Sequence, residues 1–245
     1  MSTKRSPTLT ALAFGGICLL LAAVCALTVM LAQFFARSPF AADVIADAEK
    51  SPPMIIIDPG HGGMDGGAVG VDGTLEKEIN LSVAKKLAAL LRYSGYECVL
   101  TREDDRMLVD EDVKTHRKMH DLKNRVALAG EYDEPVFVSI HMNNFSKSAY
   151  SGLQVWYSKN TPESEQLATY IQTYAHTFLD PFNNRSIKAA TSAIYVLDRI
   201  QTPAVLVECG FLSNPEECAK LSGEDYQNQL AVTIWSALVS WLNNQ

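Results

Sequence analysis

The chain has 245 residues, 47% of them apolar and 20% charged, with 21 basic residues against 28 acidic ones. That apolar content excludes a disordered chain, and five cysteines in this length exclude a disulfide scaffold. A net charge of −7 repels phosphate, so nucleic acid is not an expected partner.

Residues 11–35 carry no charge and a single amide, Gln33. A helix of that length, rising about 1.5 Å per residue, crosses a hydrocarbon core of about 30 Å. A cleaved signal peptide would have an apolar core of only about 7–15 residues and end at a small-x-small site. The nearest such site here begins with Phe40. The expectation is therefore a transmembrane signal anchor over 11–36, with a cytoplasmic stretch 1–10 before it and a linker 37–53 after it. Lys4, Arg5 and the α-amine precede the span, while Arg37 stands alone behind it. Positive charge stays inside, so the large domain is expected outside the membrane.

The domain expected over 54–245 alternates short apolar runs with amphipathic stretches. Residues 54–57 are continuously apolar, as in a strand buried on both faces. Apolar residues at 79, 83, 87, 90 and 91 give helical spacing over 77–93, and Gly95 ends that helix. Further strands are expected at 98–101, 135–140, 152–157, 194–197 and 204–207. Further helices are expected at 121–131, 162–179 and 225–242. Pro162 stands at a helix start, where proline is tolerated. This alternation predicts an α/β sandwich around a largely parallel sheet. Cys98, Cys209 and Cys218 are odd in number outside the span and read as unpaired thiols.

Three of the apolar runs lead into polar residues. The first leads into Asp58-Pro59-Gly60-His61-Gly62-Gly63, the run ending at Ile140 into His141 and Asn143, and the run ending at Val207 into Glu208. Open α/β sheets bind ligands beyond the carboxyl ends of their strands, so parallel strands would bring these side chains to one rim. A further carboxylate, Glu76 or Glu78, stands at the entry to the first long helix, near the same rim. Two His and a carboxylate are a common donor set for catalytic zinc, with one position open to water. Another carboxylate beside that water can act as general base. Spacing alone does not choose between Glu76 and Glu78.

Other clusters read as plain structure. His116 and His120 are spaced i,i+4, but no Glu follows His116, so the zincin pattern fails. The acids at 104, 105 and 110–112 lack the EF-hand spacing and read as a solvated loop. Cys209 has no paired His and reads as a buried thiol.

The phrases DPGHGGMDGGAVG, GTLEKEINL, VSIHMN and LVECGFLSNPEE resemble, in that order, the zinc-dependent N-acetylmuramoyl-L-alanine amidases of the Amidase_3 type. The resemblance covers about residues 54–242 and is strongest to members acting on spore cortex. It implies a three-layer α/β sandwich with a six-stranded sheet. It places the zinc ligands on His61, Glu76 and His141, choosing Glu76 because the family's ligand directly precedes the Lys of the EK pair. It places the catalytic residue on Glu208. The implied reaction is hydrolysis of the amide between N-acetylmuramic acid and L-Ala of the peptidoglycan stem peptide, upstream of muramic-δ-lactam formation. Some relatives insert an autoinhibitory helix after the second His motif. Only 145–151 separates Asn144 from Gly152 here, so control must come from elsewhere, which leaves room for an activator protein as partner. The rival readings are a carboxypeptidase-type zinc peptidase and an inactive wall-binding protein.

Overall fold

The computed structural model describes residues 20–33, except 22 and 32, and residues 52–245. The chain divides into two units, Met1–Ser51 and Pro52–Gln245. In the first unit the described residues are helical and leave Leu20, Leu21, Leu27 and Met30 exposed. The expected span over 11–36 lies largely outside the described residues. Among the described ones, no helix is long and apolar enough to cross a membrane.

The second unit is built on a sheet of six strands: β1 (Ile55–Pro59), β2 (Cys98–Leu100), β3 (Val136–Asn143), β4 (Gln154–Tyr157), β5 (Lys188–Ala189) and β6 (Ala204–Phe211). Their spatial order is β2-β1-β3-β6-β4-β5. The first four in that order are parallel, and β4 runs antiparallel to β6. The helices are α1 (Glu76–Tyr93), α2 (Arg117–Ala129), α3 (Pro162–Tyr174), α4 (Tyr195–Arg199), α5 (Pro215–Ser222) and α6 (Glu224–Leu242).

Alternation along each strand sends neighbouring side chains to opposite faces. Ile55 and Ile57 join Val138, Val205 and Val207 under α1, α3 and α6. Ile56 points the other way, with Phe137 and Leu206, into a smaller cluster closed by Ala129 of α2 and Leu197 of α4. Burial on both faces is why the apolar runs that open β1 and β6 are unbroken and the one in β3 is broken only by the buried Ser139. Helices on both faces of a largely parallel sheet form the expected three-layer sandwich.

Several elements differ from expectation. Residues 194–197 are not a strand. They enter α4, whose turn packs both Val196 and Leu197 on the smaller cluster and brings Arg199 over the Tyr195 ring one turn back. The β-branched and aromatic content of that stretch is outweighed by its need to bury two consecutive residues. The remaining strand is β5, two residues with no apolar pattern. Helix α2 starts at Arg117, ahead of the expected 121. The helix over 162–179 changes to a π-helical turn at Ala175–Leu179. α5 has no counterpart among the expected helices. Its start was written in the sequence: Asn214 accepts from the N–H groups of Glu216 and Glu217, and Pro215 follows at the first helical position.

Candidate metal centre

Four segments converge at the carboxyl edge of the parallel strands. His61 lies two residues beyond β1, with a left-handed backbone (φ 62°) that is uncommon for a non-glycine residue. Glu76 is the first residue of α1, where the helix N-terminus favours a negative charge. His141 and Glu208 lie within β3 and β6 rather than past their ends, because both strands continue to Asn143 and Phe211. They are register partners, so their side chains stand side by side on one face. Glu78 is exposed and takes no part.

His61, Glu76 and His141 each bring a donor atom within 4.8 Å of the other two, and they are the one such group among the described residues. His61 Nε2 lies 3.2 Å from Glu76 Oε2, and His141 Nδ1 lies 2.9 Å from Glu76 Oε1. The two imidazoles meet edge to face, with centroids 4.9 Å apart. The Glu76 carboxylate is oriented by backbone N–H groups, from Ala68 at 2.8 Å and Met142 at 3.1 Å. Asp65 Oδ2 lies 2.9 Å from the other His61 nitrogen, Nδ1. A carboxylate on the far nitrogen fixes ring orientation in metal sites, so Asp65 is an orienting group the sequence reading did not single out.

The electrostatics suit a cation. Burial opposes a charge on His61, but Asp65 and Glu76 beside it raise its pKa to about 9. Burial likewise opposes a charge on Glu76, but the adjacent His141 and His61 hold its carboxyl well below the usual range. Two imidazoles and an ionised carboxylate converging on one point are a donor set that fits zinc. Glu208 differs. Burial, reinforced by the Glu76 charge, raises its carboxyl to about 7 against the opposing pull of His141, and its Oε2 has no hydrogen-bond partner among the described residues.

Two buried arginines hold the loop that carries His61. Arg125 of α2 donates to both Asp121 oxygens, to Asp58, to the Pro59 carbonyl at 3.0 Å and to the His61 carbonyl at 2.8 Å. Arg102, just past β2, donates to the carbonyls of Pro59, Gly60, Asp104 and Lys77. Glycine gives the loop its close approaches. A Cβ on Gly60 would lie 2.2 Å from the His141 ring, and one on Gly67 (φ 70°) would lie 2.5 Å from Glu76 Oε2.

The other clusters stay apart from this centre. His116 and His120 are exposed. Among the 104–112 acids, Asp105 pairs with Lys77 at 2.7 Å and accepts from Gly63 N, so this acid secures the β1–α1 loop. Cys98, Cys209 and Cys218 are buried free thiols, and burial pushes the Cys209 thiol further up, away from a nucleophile.

Residues 55–240 match the Amidase_3 family, N-acetylmuramoyl-L-alanine amidase. The chain is 34% identical over 197 residues to the germination-specific N-acetylmuramoyl-L-alanine amidase of Bacillus subtilis, covering 80% of this chain and 82% of that one. It is 40% identical to the CwlD amidase from Clostridioides difficile, whose structure was solved in complex with the GerS lipoprotein. That likeness has a TM-score of 0.76 and covers 79% of this chain and 100% of the other. An N-acetylmuramoyl-L-alanine amidase from Clostridium difficile 630 is 33% identical, with a TM-score of 0.69, over 80% of this chain and 100% of that one.

Proposed function

The chain belongs to the N-acetylmuramoyl-L-alanine amidase family and has that activity, and from this premise we propose that His61, Glu76 and His141 hold zinc, that Glu208 is the general base, and that the substrate is spore-cortex peptidoglycan. The observation that supports this best is the convergence of three donors beside a buried carboxylate with a free oxygen. When bound, zinc supplies a Lewis acid for the amide carbonyl and lowers the pKa of water beside it to about 7. Glu208 takes a proton from the attacking water at Oε2 and delivers it to the L-Ala nitrogen as the C–N bond breaks. The lactyl group then carries the new carboxyl and the peptide a free amine. In the metal-free centre burial raises the Glu208 carboxyl above the usual carboxylate range, the direction that suits a group that must both take up and give back a proton. Asp65 and the Arg125 contact to the His61 carbonyl keep the first ligand in place throughout.

Mass analysis of purified peptidoglycan digested by the full chain tests the reaction. Peptides with a free L-Ala amine and unpeptided muramic acid are expected with zinc, and neither with chelator. Release of a single C-terminal amino acid instead would identify a carboxypeptidase.

The metal reading also predicts a glycine effect. Gly67→Ala drives a methyl group between Glu76 and His61, so zinc affinity is expected to fall at least tenfold. Gly73→Ala, at φ 91° with nothing among the described residues within 4 Å of the new Cβ, meets only backbone strain of about 1–2 kcal/mol and is expected to keep its zinc. Equal zinc affinity in the two variants contradicts the placement.

The likeness to a germination-specific amidase supports the cortex role, in which peptide removal precedes lactam formation by a separate deacetylase. The short segment 145–151 has no room for an inserted inhibitory helix, and a relative solved with a lipoprotein supports an activator of that kind. Residues 11–36 are proposed as the membrane anchor of an extracytoplasmic domain over 54–245, supported by the uncharged run, its basic flank and the exposed leucines of the helical stretch. Protease added to intact protoplasts is expected to digest the domain. A protected domain, or a soluble one with a new N-terminus near residue 43, counts against the anchor.

A further inference from the structure

His141, Glu208 and Gln154 are register partners on the adjacent strands β3, β6 and β4, so they form a row on one face. The row continues past the sheet. Gln154 is buried, donates from Nε2 to the Ser186 carbonyl at 2.7 Å, and turns Oε1 to Nη1 of Arg185 at 3.3 Å. Arg185 Nε donates to the Ser151 carbonyl. Its guanidinium lies over the Phe211 ring, 4.4 Å from the centroid, and 5.7 Å from the centroid of Tyr150. The remaining N–H groups have no protein acceptor among the described residues. Glu217, whose carboxyl feels the Arg185 charge, uses its oxygens on the N–H groups of Gly152 and Phe211.

A guanidinium fixed by a hydrogen-bonded amide and an aromatic face, with free N–H groups, suits a planar two-oxygen anion. We propose that Arg185 binds a free carboxylate on the stem peptide, two to three residues from the scissile amide. This rests on the reading of His61, Glu76 and His141 as the metal centre and Glu208 as the base. Strands lie about 4.8 Å apart, so His141 and Gln154 are separated by about 10 Å. An extended peptide spans that in about three residues, at roughly 3.3–3.6 Å each. A stem peptide offers two sources of this group: the α-carboxylate of a second-position glutamate linked through its γ-carboxyl, and the side-chain carboxylate of a third-position diamino diacid.

The test uses the full chain loaded with zinc and three soluble muropeptides: one with both carboxylates free, one amidated at the second residue and one amidated at the third. The parent is expected to cleave one of the amidated substrates about tenfold less efficiently than the free one, through KM, and that arm identifies the source. Arg185→Gln is expected to lose this preference while matching the parent on the disfavoured substrate. Arg185→Lys, which keeps the charge, is expected to regain part of it. A variant that slows all three substrates equally, as a purely structural residue would, overturns the proposal. A parent that cleaves all three at one rate overturns it alone. A parent that cleaves none overturns the reading of the site on which it rests.

Discussion

Glu208→Gln is expected to give a folded, zinc-loaded protein whose amidase rate is reduced by about 10²–10⁴-fold, toward the upper end. Glutamine keeps the size of the side chain and cannot accept a proton from water. The same residue serves both the attacking water and the leaving amine, so both halves of the reaction lose their proton carrier. Stability should not follow activity down. Burial raises the Glu208 carboxyl to about 7, so ionising it opposes folding as pH rises from its ordinary value through that point. Removing the charge removes that opposition, and the metal-free variant at pH 8 is expected to melt no lower than the parent. A structural carboxylate predicts the reverse, a lower melting temperature with activity reduced only in proportion to folded protein. Zinc content, melting temperature and rate, taken on one sample, separate the two.

Arg125→Met is expected to cost about 3–5 kcal/mol, because it leaves Asp58 and Asp121 buried without their common partner. It also frees the Pro59 and His61 carbonyls that hold the ligand loop. The loss should depend on pH in a definite direction. Burial opposes the Asp58 charge, but Arg125, Ser139 and Thr101 keep its carboxyl below its ordinary value. A lowered acid stabilises the fold above its unfolded pKa, about 3.9, and that contribution fades as pH falls through the folded value. In Arg125→Met the stranded carboxyl can take up a proton at acid pH, so the gap between parent and variant narrows below about pH 4. Urea unfolding at pH 7 and pH 3.5 measures both. A deficit under 1 kcal/mol at pH 7, or one that does not change with pH, contradicts this account.

The parallel half of the sheet was legible because its strands are covered on both faces, which writes Met54–Ile57 and Ala204–Val207 as unbroken apolar runs and Val136–Ile140 as one interrupted only by the buried Ser139. β5 was not, because two residues at a sheet edge leave no pattern, and α4 was not, because Ile194 followed by the Tyr-Val-Leu that opens this short helix reads as a strand. At the centre, the two histidines and Glu208 stood out as polar residues following apolar strands. The choice of Glu76 over Glu78 came from resemblance, and the fold gives its physical reason: Glu76 is turned inward at the start of α1 while its neighbour two residues on faces solvent. Arg102 and Arg125 act through contacts between elements distant in sequence, which no local spacing announces, while Asp65, only four residues from His61, reaches it because the glycine-rich loop turns back on itself. Arg125 in particular looks like one more charge on a solvated helix until α2 is docked against β1.

The metal assignment is tested most directly by elemental analysis of zinc in the purified parent and in His141→Ala. One zinc per chain is expected in the parent and near none in the variant, since removal of one of three ligands leaves only His61 and Glu76. Full occupancy in His141→Ala would contradict it.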